Sequence, residues 1–266
     1  MRTDVPEKPL PPEPIVAESV RWLRFVARWA VLVGLMTLTL PLVLYGGVGQ
    51  QAADTALGAA YVELLQAVRS PGMYRVGWTL DALVWLMIGG SLLTLAGILR
   101  SHAPIQSIFI ATCGIAQVTG SLGSFLRLNG ISDLAARYAT TALDQQAVLR
   151  ESYLNLWRVI NSCYHVGILL QGVGFLLAAS GVFSLRGFPR WLAVWLALPG
   201  VLAVVQFILV AAGTPFSRPL NIFGVIVGNV ALNIALAIAL WCPSPTLVAA
   251  IVGESGKGCA LEDVIA

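Results

Sequence analysis

The chain has 266 residues, of which 58% are apolar and only 11% charged, against about 25% charged in an ordinary soluble domain. Sixteen Lys and Arg face thirteen Asp and Glu, a net charge of +3. This balance excludes a disordered chain, a soluble globular enzyme and a nucleic-acid binder with an extended basic surface, and it fits an integral membrane protein of several helices.

Residues 6–14, PEKPLPPEP, hold five prolines and predict an extended or disordered leader. Its Pro9-Leu10-Pro11-Pro12 fits PxxP only formally. Six segments then meet the requirement of about 20 predominantly apolar residues for a membrane-crossing helix: Phe25–Gly47, Val76–Leu99, Ile105–Leu128, Trp157–Leu185, Pro189–Gly213 and Pro219–Trp241. Backbone groups in lipid must be satisfied within the segment, so these are helices rather than open strands. The first run is too long for a signal h-region and follows a 24-residue tail, so an anchor that stays is expected.

Between the first two spans, Val48–Arg75 carries an apolar stripe at helical spacing: Ala56, Leu57, Ala60, Tyr61, Leu64, Leu65 and Val68. Asp54 precedes it as a candidate cap. The connection Arg100–Pro104 is short. After the third span, Asn129–Leu156 is long, with Ser132-Asp133 as another candidate cap. No Gly or Pro interrupts Ile131–His165, so this segment is expected to extend the fourth span outward as one long helix. The turn Arg186–Phe188 is tight. Pro199-Gly200 interrupts the fifth span and predicts a kink there. Gly224 and Gly228 form GxxxG on the sixth span, either a self-association surface or, favoured in a six-helix bundle, an intrachain helix contact.

The expected fold is therefore all-α, a polytopic membrane protein of six transmembrane helices with amphipathic helical segments in the long outer loops. Its expected divisions are a Pro-rich cytoplasmic tail (1–24), a six-helix transmembrane domain (25–241) and a cytoplasmic C-terminal tail (242–266). Basic residues crowd the first span (Arg21, Arg24, Arg28) and the short turns (Arg100, Arg186, Arg190). By the positive-inside rule this puts both termini in the cytoplasm of a cell inner membrane.

Polar residues inside the spans carry the functional signal, because each costs free energy in lipid unless paired. On the second span, Tyr74, Trp78, Asp81 and Trp85 follow helical spacing. Folding in the alternating helix directions brings Asp81, Ser121, Ser124, Arg127, Asn161, His165, Gln206 and Asn221 into the outer half of the membrane. Asp81, Arg127, Arg158, Asn161, His165, Gln206 and Asn221 are the candidates for a polar core or ligand site. The bland alternative is interhelical hydrogen bonding for the amides and snorkelling for Arg127 and Arg158. Asp81 is expected to face the bundle interior and approach a cation among Arg127, Arg158 and His165, with Arg127 favoured.

Other chemistry lacks its motifs. The two histidines, His102 and His165, fall at opposite membrane faces and cannot ligate one haem in a single chain. HExxH, GxSxG and His–Cys clusters do not occur. Cys113, Cys163, Cys242 and Cys259 show no CxxC spacing. GESGKG (Gly253–Gly258) lacks the spacing and the following Ser or Thr of a phosphate loop. No metal or cofactor is expected.

Two stretches, YRVGWTLDALVWLMIGGSLLTLAGILR (Tyr74–Arg100) and GILLQGVGFLLAASGVFSLRGFPRWLAVWLALPGVLA (Gly167–Ala203), resemble a family of uncharacterised six-span bacterial integral membrane proteins, a domain of unknown function. The resemblance implies the six-span fold and carries no functional residue.

The leading functional reading is a non-enzymatic membrane protein that binds or scaffolds, an accessory subunit of a larger assembly. Its expected partners are the lipid bilayer and other membrane subunits or an apolar ligand, with no nucleic acid. A competing reading is a small permease or channel with an outward-facing polar recess. A third is an enzyme acting on an apolar substrate with Asp81 and His165 as acid and base.

Overall fold

In the computed structural model, residues 13–45, 56–142, 144–185, 187–213 and 227–252 are described. Every regular element among them is helical. The first is α1 (Glu13–Tyr45), then α2 (Ala56–Arg69), α3 (Pro71–Leu99), α4 (Pro104–Ala116) and α5 (Val118–Leu126). A π turn, Arg127–Ile131, leads into α6 (Ser132–Thr140). There follow α7 (Gln146–Ser184), α8 (Arg190–Ala211), α9 (Val227–Trp241) and α10 (Pro245–Val252). α3 and α4 both begin with Pro at the first helical position, where its missing N–H costs nothing.

Five or six helices are long and apolar enough to cross a membrane. Five runs qualify outright: Ala17–Thr39, Pro71–Leu99, Pro104–Thr140, Gln146–Ser184 and Arg190–Ala211. α9 is apolar and described over 15 residues. Large apolar side chains such as Ile105, Ile108, Phe109 and Phe125 stand on the outside of the bundle. Such a belt is stable when hydrocarbon rather than water surrounds it, so the protein is a multi-pass helical protein of the lipid bilayer.

The spans associate through small residues. A Cβ on Gly89 would lie 2.6 Å from the Gly114 carbonyl oxygen, and one on Gly172 would lie 2.9 Å from that of Gly200. α3 thus crosses α4, and α7 crosses α8, almost backbone to backbone. Gly228 of α9 packs against Pro199 of α8, an intrachain contact; Gly224 lies outside the described residues. Interhelical hydrogen bonds add to this. Ser107 donates to the Ala96 carbonyl (2.7 Å), and Gln171 Nε2 donates to Asn229 Oδ1 (2.9 Å). α8 remains helical through Pro199.

Several expected boundaries shift. α1 begins at Glu13, inside the stretch expected to be an unstructured tail, and Val20 and Leu23 are already buried. Residues 6–12 and Asp54 lie outside the described residues. The third span does not stop at Leu128. The π turn carries the helical run through Gly130 and on to Thr140, so Ser132 continues a helix and caps none. The fourth span does extend beyond its apolar run, starting at Gln146, but α6 ends at Thr140 and a turn precedes α7 instead of one continuous helix. Hydrophobic burial decides this turn. It folds α6 back onto α2, so that Leu64, Ala67, Ile131, Ala135 and Tyr138 form an apolar cluster with Tyr74, Tyr153 and Ile160.

α2 and α6 therefore cap one end of the bundle. At the opposite end, α10 belongs to the packed structure although tail was expected there. Leu247 and Val248 are buried, and Ser244 both donates to the Gly187 carbonyl (3.1 Å) and accepts from Leu247 N–H (3.2 Å) as the helix cap. Gly187 has φ +95°, which favours glycine, and a Cβ there would meet the Leu247 backbone at 2.6 Å.

Candidate functional site: a buried ionic centre under the cap

Three stripes meet beneath α2. On α3, Tyr74, Trp78, Asp81 and Trp85 stand at i, i+4, i+7 and i+11, one face of a helix. On α7, Trp157, Asn161, Tyr164 and Ile168 repeat the same spacing. Ser121 and Ser124 of α5 and Arg127 of the π turn supply the third side. The π turn widens the helix by one residue where Arg127 sits, a feature often found at functional sites. A Cβ on Gly120 would lie 2.4 Å from the Trp85 ring, and one on Gly123 would lie 2.7 Å from the Tyr164 ring. These two glycines make the space that both aromatic rings occupy.

Arg127 is the centre's cation, and its partner is Glu63 on α2. Arg127 Nε donates to Glu63 Oε1 at 2.8 Å, a largely buried ion pair. Tyr74 O–H donates to the same oxygen (2.9 Å), and Trp157 Nε1 donates to Oε2 (3.1 Å). Arg127 Nη2 donates to Asn161 Oδ1 (2.9 Å). The guanidinium carbon lies 4.4 Å from the Trp78 ring centre and 4.7 Å from that of Tyr164, so it is held between two π faces. Arg127 is only 5% exposed.

Asp81 forms a second group beside this one. It is buried, and Ser124 O–H donates to its Oδ2 at 2.6 Å. Tyr164 O–H is hydrogen-bonded to the same oxygen, and the two hydroxyls lie 2.7 Å apart. Edge-to-face contacts run from Tyr74 to Trp78, Trp78 to Tyr164 and Tyr164 to Trp85, with centroids 6.0, 6.3 and 5.4 Å apart. The aromatic ladder ties the two groups into one unit.

Sequence reasoning and geometry diverge at Asp81. It faces the interior as expected, but it makes no ion pair with Arg127, Arg158 or His165. The reason is a second carboxylate: α2 delivers Glu63 to Arg127, while neutral hydroxyls satisfy Asp81. Asn161 joins the centre through Arg127. Arg158 is exposed and donates to Asn155 Oδ1 (3.3 Å). His165 is half-buried without a polar partner among the described residues, and Gln206 is buried on α8 with its side-chain carbonyl unpaired. Asn221 lies outside the described residues. Ser121 donates to the Ala82 carbonyl (3.2 Å), bracing α5 on α3.

Glu63, Trp157 and Tyr164 were not among the sequence candidates. A signal for each exists. Glu63 is the one acid in ALGAAYVELLQAVR, and it falls on the 56–60–63–67 stripe with three alanines. Trp157 and Tyr164 share the helical face of Asn161.

The centre also holds donors without an acceptor among the described residues: Arg127 Nη1 and Trp78 Nε1 are buried and unpaired. Buried donors are rarely left in this state.

Fold and site together define a multi-pass helical membrane protein with a charged, donor-rich centre buried at one end. The chain belongs to the family described as Domain of unknown function (DUF4386), whose profile matches residues 62–242. That stretch contains the whole centre, from Glu63 to Tyr164. No match was found among curated proteins or solved structures.

Proposed function

We propose that the chain is a non-enzymatic membrane binding protein, an accessory subunit or carrier whose ligand site is the centre beneath α2. The observation that supports this reading is the surplus of buried donors around Arg127, since hydrogen-bonding capacity left over in a low-dielectric site is strongly favoured to meet a ligand's acceptors. Native mass spectrometry after extraction in mild detergent tests it. A retained small molecule or protein partner is expected, and a bare monomer under every mild condition would overturn it.

The basic residues support an orientation for this reading. Arg21, Arg24, Arg28, Arg100 and Arg190 belong to the end opposite the cap, where Arg28 also lies over the Trp241 ring. With that end in the cytoplasm, both termini are cytoplasmic and the cap faces outward from a bacterial inner membrane.

A permease is the second reading. Gln171, Asn229 and Asn233 are buried together on α7 and α9, alongside Pro199 in α8. Sealed vesicles containing the purified protein would then pass a small solute above background; impermeability to all solutes tried would remove this alternative.

A further inference from the structure

The Glu63 carboxylate comes from outside the bundle. It sits on α2, which is joined to α3 through a single non-helical residue, Ser70, with Pro71 fixing the start of the next helix. The groups that hold it belong to the bundle: Tyr74 O–H from α3, Arg127 Nε from the π turn and Trp157 N–H from α7. Three donors from three separate segments converge on one carboxylate, the geometry of a carboxylate receptor. The receptor also has capacity Glu63 does not use: among the described residues, Arg127 Nη1 and the Nε1 of the adjoining Trp78 are buried without an acceptor.

The face that α2 turns inward has the composition of an amphiphile. Beside the carboxylate of Glu63, Leu64 and Ala67 are buried against Tyr74, Ile131 and Ile160. Lifting α2 about Ser70 would uncover one carboxylate receptor and, next to it, one apolar surface. We infer that Glu63 with Leu64 and Ala67 is an internal stand-in, and that the centre receives the carboxylate head of a single-chain amphiphile, a fatty acid, when α2 swings away. This inference rests on the proposed binding function and gives its ligand a chemical class.

Charge selects that class. Exchanging Glu63 for another monoanionic carboxylate keeps Arg127 neutralised, whereas an uncharged ligand would leave a buried guanidinium without its counter-ion. A phosphate dianion would add a second negative charge close to Asp81, in a medium that screens charge poorly. Solubility selects the amphiphile: a small carboxylate would leave the surface vacated by Leu64 and Ala67 uncovered.

The test uses the full chain in a non-ionic detergent, with tritiated dodecanoate as the probe. Glu63→Gln weakens the internal competitor and keeps its size. It should bind dodecanoate about tenfold more tightly than the unaltered chain, as expected when a competing state is made easier to leave. Trp157→Phe or Tyr74→Phe in the same background should reverse that gain. Dodecanol and dodecyl phosphate should compete poorly, and acetate should need far higher concentrations. A folded Glu63→Gln protein that binds dodecanoate no better than the unaltered chain overturns the inference. So does equal competition by dodecanol, by dodecyl phosphate or by acetate.

If Glu63→Gln does not fold, Ala67→Cys in the otherwise unaltered chain gives a second readout. Residue 67 is 3% exposed, so peptide-resolved maleimide labelling there should rise when dodecanoate is added; no change overturns the inference. A ligand without a carboxylate found by native mass spectrometry, together with a negative result here, would leave the binding function standing and remove only the fatty-acid assignment.

Discussion

Arg127 makes the centre sensitive to single substitutions. Removing one partner of a buried ion pair leaves the other charged and desolvated, so Arg127→Gln should cost about 3–5 kcal/mol of folding stability. Glu63→Gln combined with Arg127→Gln should cost less than the sum of the two single changes, because each alone strands a charge. Unfolding of the purified variants in mixed micelles measures both; strict additivity would contradict a direct pair. Asp81 gives the complementary case. Its carboxylate accepts from Ser124 and Tyr164, and hydrogen bonds to a charged group contribute about 1.5–3 kcal/mol. Asp81→Asn should therefore lower stability by about that amount, with a smaller loss for Ser124→Ala in the same assay. The sequence made Asp81 and Arg127 legible because charges in apolar runs stand out. It did not make their partners legible, since Glu63 lies outside the spans and Tyr164 is an ordinary aromatic on an apolar helix.

At the scale of the elements, identical substitutions should have opposite signs. A Cβ at Gly120 would lie 2.4 Å from the Trp85 ring, so Gly120→Ala forces the ring or the helix to move and should cost about 1–3 kcal/mol. Gly72 has nothing within 4 Å of its Cβ position and lies in the first turn of α3. Gly72→Ala should stabilise by about 0.4–1 kcal/mol through the unfolded chain. Thermal unfolding of the pair in detergent decides it; equal effects would mean that the α3–α5 contact is looser than described. The spans themselves were legible as long apolar runs. The continuation of the third span through Gly130 was not, because glycine reads as a boundary in isolation. Here a Cβ at residue 130 would lie 2.8 Å from Leu156 Cδ2, so the glycine makes room for that side chain, and tertiary packing keeps the turn helical.

Across the whole molecule, the capped and uncapped ends belong to opposite faces of the bilayer. Ser70 and Ser101 are exposed at the two ends. Ser70→Cys and Ser101→Cys, each in the full chain, should react with a membrane-impermeant maleimide from opposite sides of sealed vesicles, with peptide-resolved detection separating them from the native cysteines. Labelling of both from one side would refute the bundle's topology. The side on which residue 101 reacts also tests the cytoplasmic placement of the short turns.

The sequence by itself determined the class of protein, its solvent and the approximate positions of its spans. Those follow from a strong and local quantity: about 20 apolar residues in a row are stable across hydrocarbon whatever surrounds them. It also marked one face of α3, because helical periodicity places Tyr74, Trp78, Asp81 and Trp85 together without reference to any other segment. Only the tertiary structure decided which carboxylate Arg127 meets. That choice lies between Asp81, 46 positions back along the chain in a neighbouring span, and Glu63, 64 positions back on a short helix. Both have the same charge, so no pattern in the sequence ranks them. Burial of Leu64 and Ala67 against the bundle fixes α2 in place, and that apolar packing, rather than the attraction between charges, brings Glu63 to the guanidinium.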